Sequence, residues 1–270
     1  MSEGQRRVLV VGGGRGIGEA VARAFASAGD HVTIAARSAL QVQSAADSMN
    51  AQGLVCDIAD PEAVERMLLA SAPLDVVVNA AAVQGGAGAI GPLWDTDPKS
   101  FGSVIDINLF GTYLVLRGAL RQMRPRGRGT VILFSGGGST GPRPGFDAYG
   151  ATKTAVLRLA ESAQKALDDE GSGDIRVFAI APGAVSTAMT REVLANAALV
   201  PGEAESARKV ADGGDGVPAS MAADLCQFLV RPEARPLAGR LVHVKEDYRE
   251  YVTRDLSDDA GRLRRADYSR

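Results

Sequence analysis

The apolar run Val8-Leu9-Val10-Val11 leads straight into Gly12-Gly13-Gly14-Arg15-Gly16-Ile17-Gly18, and no other feature constrains the fold as tightly. Behind the glycines, Ile17, Ala20, Val21, Ala24 and Phe25 recur at helical spacing until Gly29. A short β-branched strand, a glycine turn and an amphipathic helix in succession form the opening of a parallel βαβ unit. Glycines at such a turn let the chain reverse sharply. They also let backbone N–H groups approach an anion at the helix N-terminus.

The same rhythm continues along the chain. His31–Ala36 reads as a second strand, and residues 38–50 as a helix with Ser38 as N-cap. Residues 53–56 form a short third strand, and Pro61–Ser71 a helix capped by Asp60 with proline in its first turn. Leu74–Val78 is a fourth strand ending at Asn79, and Pro98–Met123 is a long helix. Thr130–Phe134 is a fifth strand opening into Ser135-Gly136-Gly137-Gly138-Ser139, followed by a helix over residues 148–167. Asp174–Ile180 is a sixth strand ending at Pro182-Gly183. Residues 187–216 are mixed, with a weak helical pattern at 191–198. Val217–Val230 reads as a helix and residues 240–244 as a last strand. Strands that are apolar throughout and alternate with helices predict an α/β fold: a doubly wound parallel sheet of about seven strands with helices on both faces.

Composition narrows the class. At 270 residues and 46% hydrophobic, the chain can bury one large core, and no repeat or linker divides it. One domain over residues 1–270 is expected, with a substrate loop at about 187–216 and a polar tail at 245–270 containing Tyr248, Tyr251 and Tyr268. A net charge of −2 supplies no basic field for nucleic acid or for polybasic membrane docking. Cys56 and Cys226 sit among apolar residues, and His31 and His243 are the only histidines, so neither a disulfide framework nor a metal site is indicated. The first apolar run is too short for a leader, and no stretch of about 18 apolar residues is evident. A cytoplasmic location is the expectation.

The candidate chemistry lies at Tyr149-Gly150-Ala151-Thr152-Lys153. Four residues apart on a helix, the phenol and the ammonium share a face. Bringing a phenol from about 10 to near 7 takes about 4 kcal/mol. One cation about 4–5 Å away at an effective dielectric near 20 supplies that much before desolvation. Taken singly, this spacing is common by chance.

The glycine run fits G-x-x-x-G-x-G through Gly12, Gly16 and Gly18. With Asn79, Asn108, Tyr149, Lys153 and Pro182-Gly183 in order, residues 6–244 resemble the short-chain dehydrogenase/reductase family. The resemblance implies a Rossmann-like oxidoreductase that interconverts a carbonyl and a secondary alcohol on a small molecule. Tyr149 would be the acid/base, Lys153 would lower its pKa and bind the nicotinamide ribose, and Asn108 would hold a relay water. Gly12, Gly14, Arg15, Gly16, Ile17 and Gly18 would cradle the cofactor, with Asp57 and Ile58 near the adenine. Asn79 matches the first Asn of an Asn-Asn-Ala-Gly motif, written here Asn79-Ala80-Ala81-Ala82. Pro182, Gly183, Val185 and Thr187 would cover the nicotinamide. Plain structural roles stay open: a cap for Asp57 or Thr187, and a local hydrogen bond for Asn108.

One position departs from the family: its catalytic Ser falls at Gly136. Ser135, with Ser139 as the alternative, would then deliver the hydroxyl that stabilises negative charge on the substrate oxygen. Cofactor choice follows from charge. The end of the second strand, where an acid would accept a ribose 2′-OH, is Ala36, followed by Arg37, with Arg15 in the glycine turn. Two guanidiniums and no acid suit a 2′-phosphate, which favours NADP(H) over NAD(H). Substrate contacts are expected from residues 84–90, 139–146 and 187–216, Arg143 among them, and the resemblance implies a homodimer or homotetramer built on the helices at 98–123 and 148–167. Two rivals stand beside this reading. An epimerase or dehydratase of the extended family would carry a different glycine turn and a larger C-terminal domain. A cofactor-binding regulator with weak or no turnover would account for Gly136.

Overall fold

The computed structural model describes residues 5–254, 256 and 260–263. Seven strands form one parallel sheet in the order β3-β2-β1-β4-β5-β6-β7. They are β1 (Arg7–Val11), β2 (His31–Ala36), β3 (Gln52–Val55), β4 (Val76–Asn79), β5 (Arg128–Phe134), β6 (Asp174–Ala181) and β7 (Leu241–His243).

Successive strand residues face opposite sides of a sheet, so a strand covered on both sides must be apolar throughout. Val8 and Val10 pack with Val76, Val78, Ile132, Phe178 and Ile180 on one face, where α1 (Gly16–Ser27), α2 (Ala39–Met49) and α9 (Ala219–Leu229) cover them. Leu9 and Val11 join Val77, Val131, Leu133, Val177 and Ala179 on the other face, under α3 (Pro61–Ser71), α5 (Thr112–Met123) and α6 (Asp147–Glu170). Phe25 of α1 is fully buried, and a side chain of that size contributes about 1.5–3 kcal/mol by burial. Caps follow the sequence where it was explicit: Ser38 accepts from Gln41 N, and Asp60 accepts from Glu62 N and Ala63 N with Pro61 in the first turn.

The helix expected at 98–123 is interrupted. After α4 (Pro98–Ile105) the chain takes a π-helical segment, Asp106–Gly111, before α5. Residues 98–126 together are long and apolar enough to cross a membrane by length and composition, which the sequence reading did not expect. That apolarity is spent inward here: Val104, Val115, Leu116, Ala119 and Met123 are buried. Phe110 and Tyr113 remain exposed and stack on each other at 6.0 Å.

The segment expected as a mixed loop is instead two helices, α7 (Ala188–Ala195) and α8 (Pro201–Ala211). In α8 the buried face is carried by the small residues Ala204, Ala207 and Val210. After β7, a short helix α10 (Tyr248–Tyr251) seats Tyr248 against Phe228, ring centroids 5.2 Å apart. Further on, Gly261 O accepts from Leu241 N at 2.7 Å along the edge strand. Tyr268 lies outside the described residues.

Candidate active site

Strand order reverses between β1 and β4, and in such sheets the crevice beyond the strands' carboxyl ends receives ligands. A cavity of about 510 Å³ lies there, lined both by the glycine turn and by Tyr149 and Lys153. The turn is glycine for steric reasons. Gly12 adopts φ +80°, and a Cβ there would lie 2.7 Å from Ala81 N. A Cβ on Gly18 would lie 2.2 Å from the carbonyl oxygen of Gly12. With Arg15 as its N-cap, α1 starts without a side-chain cap, so its first N–H groups are left for an anion.

Gly12, Gly14, Arg15, Gly16, Ile17, Gly18, Arg37, Ile58, Ser135, Pro182 and Thr187 all line the cavity. Its charged lining residues are Arg15, Arg37, Lys153 and Arg191, with no Asp or Glu among them. A polyanion fits that donor set. Arg191 was not singled out in the sequence; it lies in the first turn of α7, which follows the N-cap Thr187.

Lys153 is 2% exposed, and its Nζ donates to Phe134 O at 2.7 Å while standing 5.5 Å from the centre of the Tyr149 ring. Burial pushes Lys153 down to about 8, which leaves it largely protonated at neutral pH. Tyr149 is 8% exposed; burial pushes its phenol up, and the charge of Arg143 pulls it back down. Arg143 is thus a second cation near the phenol, beside the Lys153 that the spacing suggested. Arg143 lies over the Phe146 ring at 4.0 Å and the Tyr149 ring at 5.8 Å.

Neither candidate hydroxyl simply replaces the missing one. Ser135 is buried and donates Oγ to Lys153 O at 3.2 Å, though it does line the cavity. Ser139 is buried but does not line it. A Cβ on Gly136 would lie 3.1 Å from the Tyr149 hydroxyl, so this position faces that phenol with no side chain.

Asn108, Asn79, Asp57, Gly183 and Val185 are engaged within the protein. Asn108 does not present a free amide: its Oδ1 accepts from Val83 N at 2.9 Å, and its Nδ2 donates to Val83 O at 2.8 Å. Asn79 does not line the cavity; it donates to Thr112 Oγ1 at 2.9 Å and accepts from Ala81 N, tying β4 to α5. Asp57 is exposed and caps Ala59 N at 3.0 Å, beside the lining residues Cys56 and Ile58. Gly183 packs on Val217, and Val185 O accepts from Thr190 Oγ1 at 2.9 Å, so both shape the approach to α7 and do not themselves line the cavity. Thr187 does both things considered for it, acting as N-cap of α7 and lining the cavity.

The model of short chain dehydrogenases matches residues 6–198. The chain belongs to the short chain dehydrogenase family. It is 32% identical over 264 residues to the short chain dehydrogenase citE of Monascus ruber, covering 92% of this chain and 84% of that protein. It is 34% identical over 194 residues to chlorophyll(ide) b reductase NOL of Oryza sativa subsp. japonica, covering 67% of this chain and 56% of that one. With the Arabidopsis thaliana counterpart at 55%, the chain spans just over half the length of these two reductases. Among solved structures, a levodione reductase superposes with a TM-score of 0.76 at 27% identity, covering 88% of this chain and 95% of that one. Short chain dehydrogenases act on CH–OH and C=O groups with NAD(P).

Proposed function

We propose that this short chain dehydrogenase uses NADP(H) to interconvert a small-molecule ketone or aldehyde and its alcohol, with Tyr149 as the acid/base. The observation that carries the reading is the shared cavity: Tyr149 and Lys153 line the same space as the glycine turn, and the charged residues lining that space are all cationic. The N–H groups at the start of α1 would hold the pyrophosphate, Arg15 and Arg37 the 2′-phosphate, and Lys153 the nicotinamide ribose. The bound nicotinamide supplies or accepts the hydride.

The protein's part is proton handling and orientation. Tyr149 Oη gives its proton to the carbonyl oxygen on reduction and takes it back on oxidation. Gly136 leaves open space beside that hydroxyl for the substrate oxygen. Ser135 Oγ would have to leave Lys153 O to donate to the substrate. Asn108 holds the loop at Val83 that borders the cavity.

Titrating NADPH and NADH and then screening a panel of ketones and secondary alcohols tests this. Tighter NADPH binding and turnover of at least one carbonyl class are expected. A second reading, a cofactor binder with little turnover, is favoured by Gly136 together with the engaged Ser135. Tight NADPH binding with no oxidation across the panel would decide for it.

A further inference from the structure

Helix α7, which lines the cavity, and α8, packed beside it, are each tied to a neighbouring loop by a carboxylate. Glu192 of α7 accepts from Gly86 N at 2.7 Å. Glu203 of α8 accepts from Arg143 Nε at 2.8 Å, and both side chains of that pair are largely buried, 19% and 33% exposed. Arg143 is the unusual partner, because its guanidinium also stacks on Phe146 and stands over the ring of Tyr149. The glycines of residues 136–138 leave it room: a Cβ on Gly137 would lie 3.6 Å from Arg143 Cδ, and one on Gly138 would lie 3.3 Å from Arg143 Cβ.

We propose that Arg143 is a positioning residue for Tyr149, and that Glu203 sets how much of its charge the phenol feels, so that the seat of α8 is linked to the readiness of the acid/base. The inference rests on the reading of Tyr149 as acid/base and adds the pair that controls it. A guanidinium over the ring favours phenolate over phenol. A carboxylate bonded to the Nε of the same guanidinium offsets that attraction, so moving α8 away strengthens it.

Other charged groups face this region. Lys153 comes from the same helix as Tyr149, and its ammonium is held at Phe134 O. From α7, Glu192 is bonded to Gly86 N and Arg191 lines the cavity. Val193, Val200, Ala207 and Ile90, which complete the cluster around Tyr149, are apolar. Arg143 is thus the charge whose distance from the ring depends on α8.

The test is an ultraviolet difference titration of the full chain, with the Tyr149→Phe variant subtracted to isolate the Tyr149 phenol. Removing a cation about 4–6 Å away should raise the midpoint by about one pH unit or more in Arg143→Met. Glu203→Gln should lower it, and the double variant should follow Arg143→Met. Arg143→Lys, which keeps the charge, should stay near wild type and serves if the methionine variant does not fold. Midpoints unmoved in Arg143→Met and Glu203→Gln would overturn the proposal. Should the midpoints move as stated while no carbonyl is turned over, the pair stands and the dehydrogenase reading falls. Where turnover is seen, the pH profile of kcat should move with the titration while KM changes little. A KM loss confined to carboxylate-bearing substrates, with the titration unmoved, would instead make Arg143 a substrate-binding group.

Discussion

Gly18 lies against the carbonyl oxygen of Gly12, so closely that a Cβ on residue 18 would stand 2.2 Å from it. The obstacle is backbone, which cannot swing aside like a side-chain tip. The turn and the first helix are therefore locked together by the absence of one carbon. Gly18→Ala should destabilise the chain by about 1–3 kcal/mol through overpacking, read as a fall of several degrees in Tm. It should also weaken NADPH binding. A variant with wild-type Tm and affinity would show that the turn relaxes freely.

Arg37 follows the second strand at the position where a 2′-phosphate would reach. Arg37→Ala should weaken NADPH by about 10- to 100-fold, the loss of one charge-assisted contact worth about 1.5–3 kcal/mol. NADH affinity should hardly move. Equal weakening of the two cofactors would remove Arg37 from phosphate recognition.

Asn108 spends both ends of its amide on Val83. Asn108→Ala should leave those backbone groups unpaired, at about 1–3 kcal/mol for each that stays buried. Tm and kcat should fall together. A large kcat loss at unchanged Tm would favour the relay role that the sequence suggested.

Lys153 carries a pH signature. Its pKa falls from 10.5 when exposed to about 8 in the folded chain. Below about 8 both states carry the charge, and folding bears the full desolvation cost, about 3 kcal/mol. Between about 8 and 10.5 the unfolded chain binds more protons, so this residue's contribution to stability rises with pH. The advantage of Lys153→Met over wild type should be greatest below pH 8 and should shrink above it. Chemical denaturation at several pH values measures this, and an advantage that grew with pH would contradict the assignment.

The doubly wound sheet was legible because its signals are local. Val8 to Val11 read as strand, the glycines as turn, and Asp60-Pro61 as a helix start, each within a few residues. Helices α7 and α8 were less so: the buried positions of α8 are the small Ala204, Ala207 and Val210, and α7 was placed three residues late. The π segment around Asn108 was not told apart from the single helix expected over 98–123, whose length it continues. At the site, Tyr149 and Lys153 were legible from their spacing together with the glycine turn, Asn79, Asn108 and Pro182-Gly183 in order. That pattern could not show that Ser135 turns to Lys153 O, or that Arg143 reaches the Tyr149 ring, because both depend on how the chain folds back over itself.

In the proposed reaction one phenol, that of Tyr149, handles the proton. Steady-state turnover of Tyr149→Phe, measured beside its NADPH affinity, tests this most directly. Loss of at least about 100-fold in kcat, as expected on removing a general acid/base, with cofactor affinity within a few-fold of wild type, is the predicted result. A variant that still reduces its ketone at the wild-type rate would contradict it.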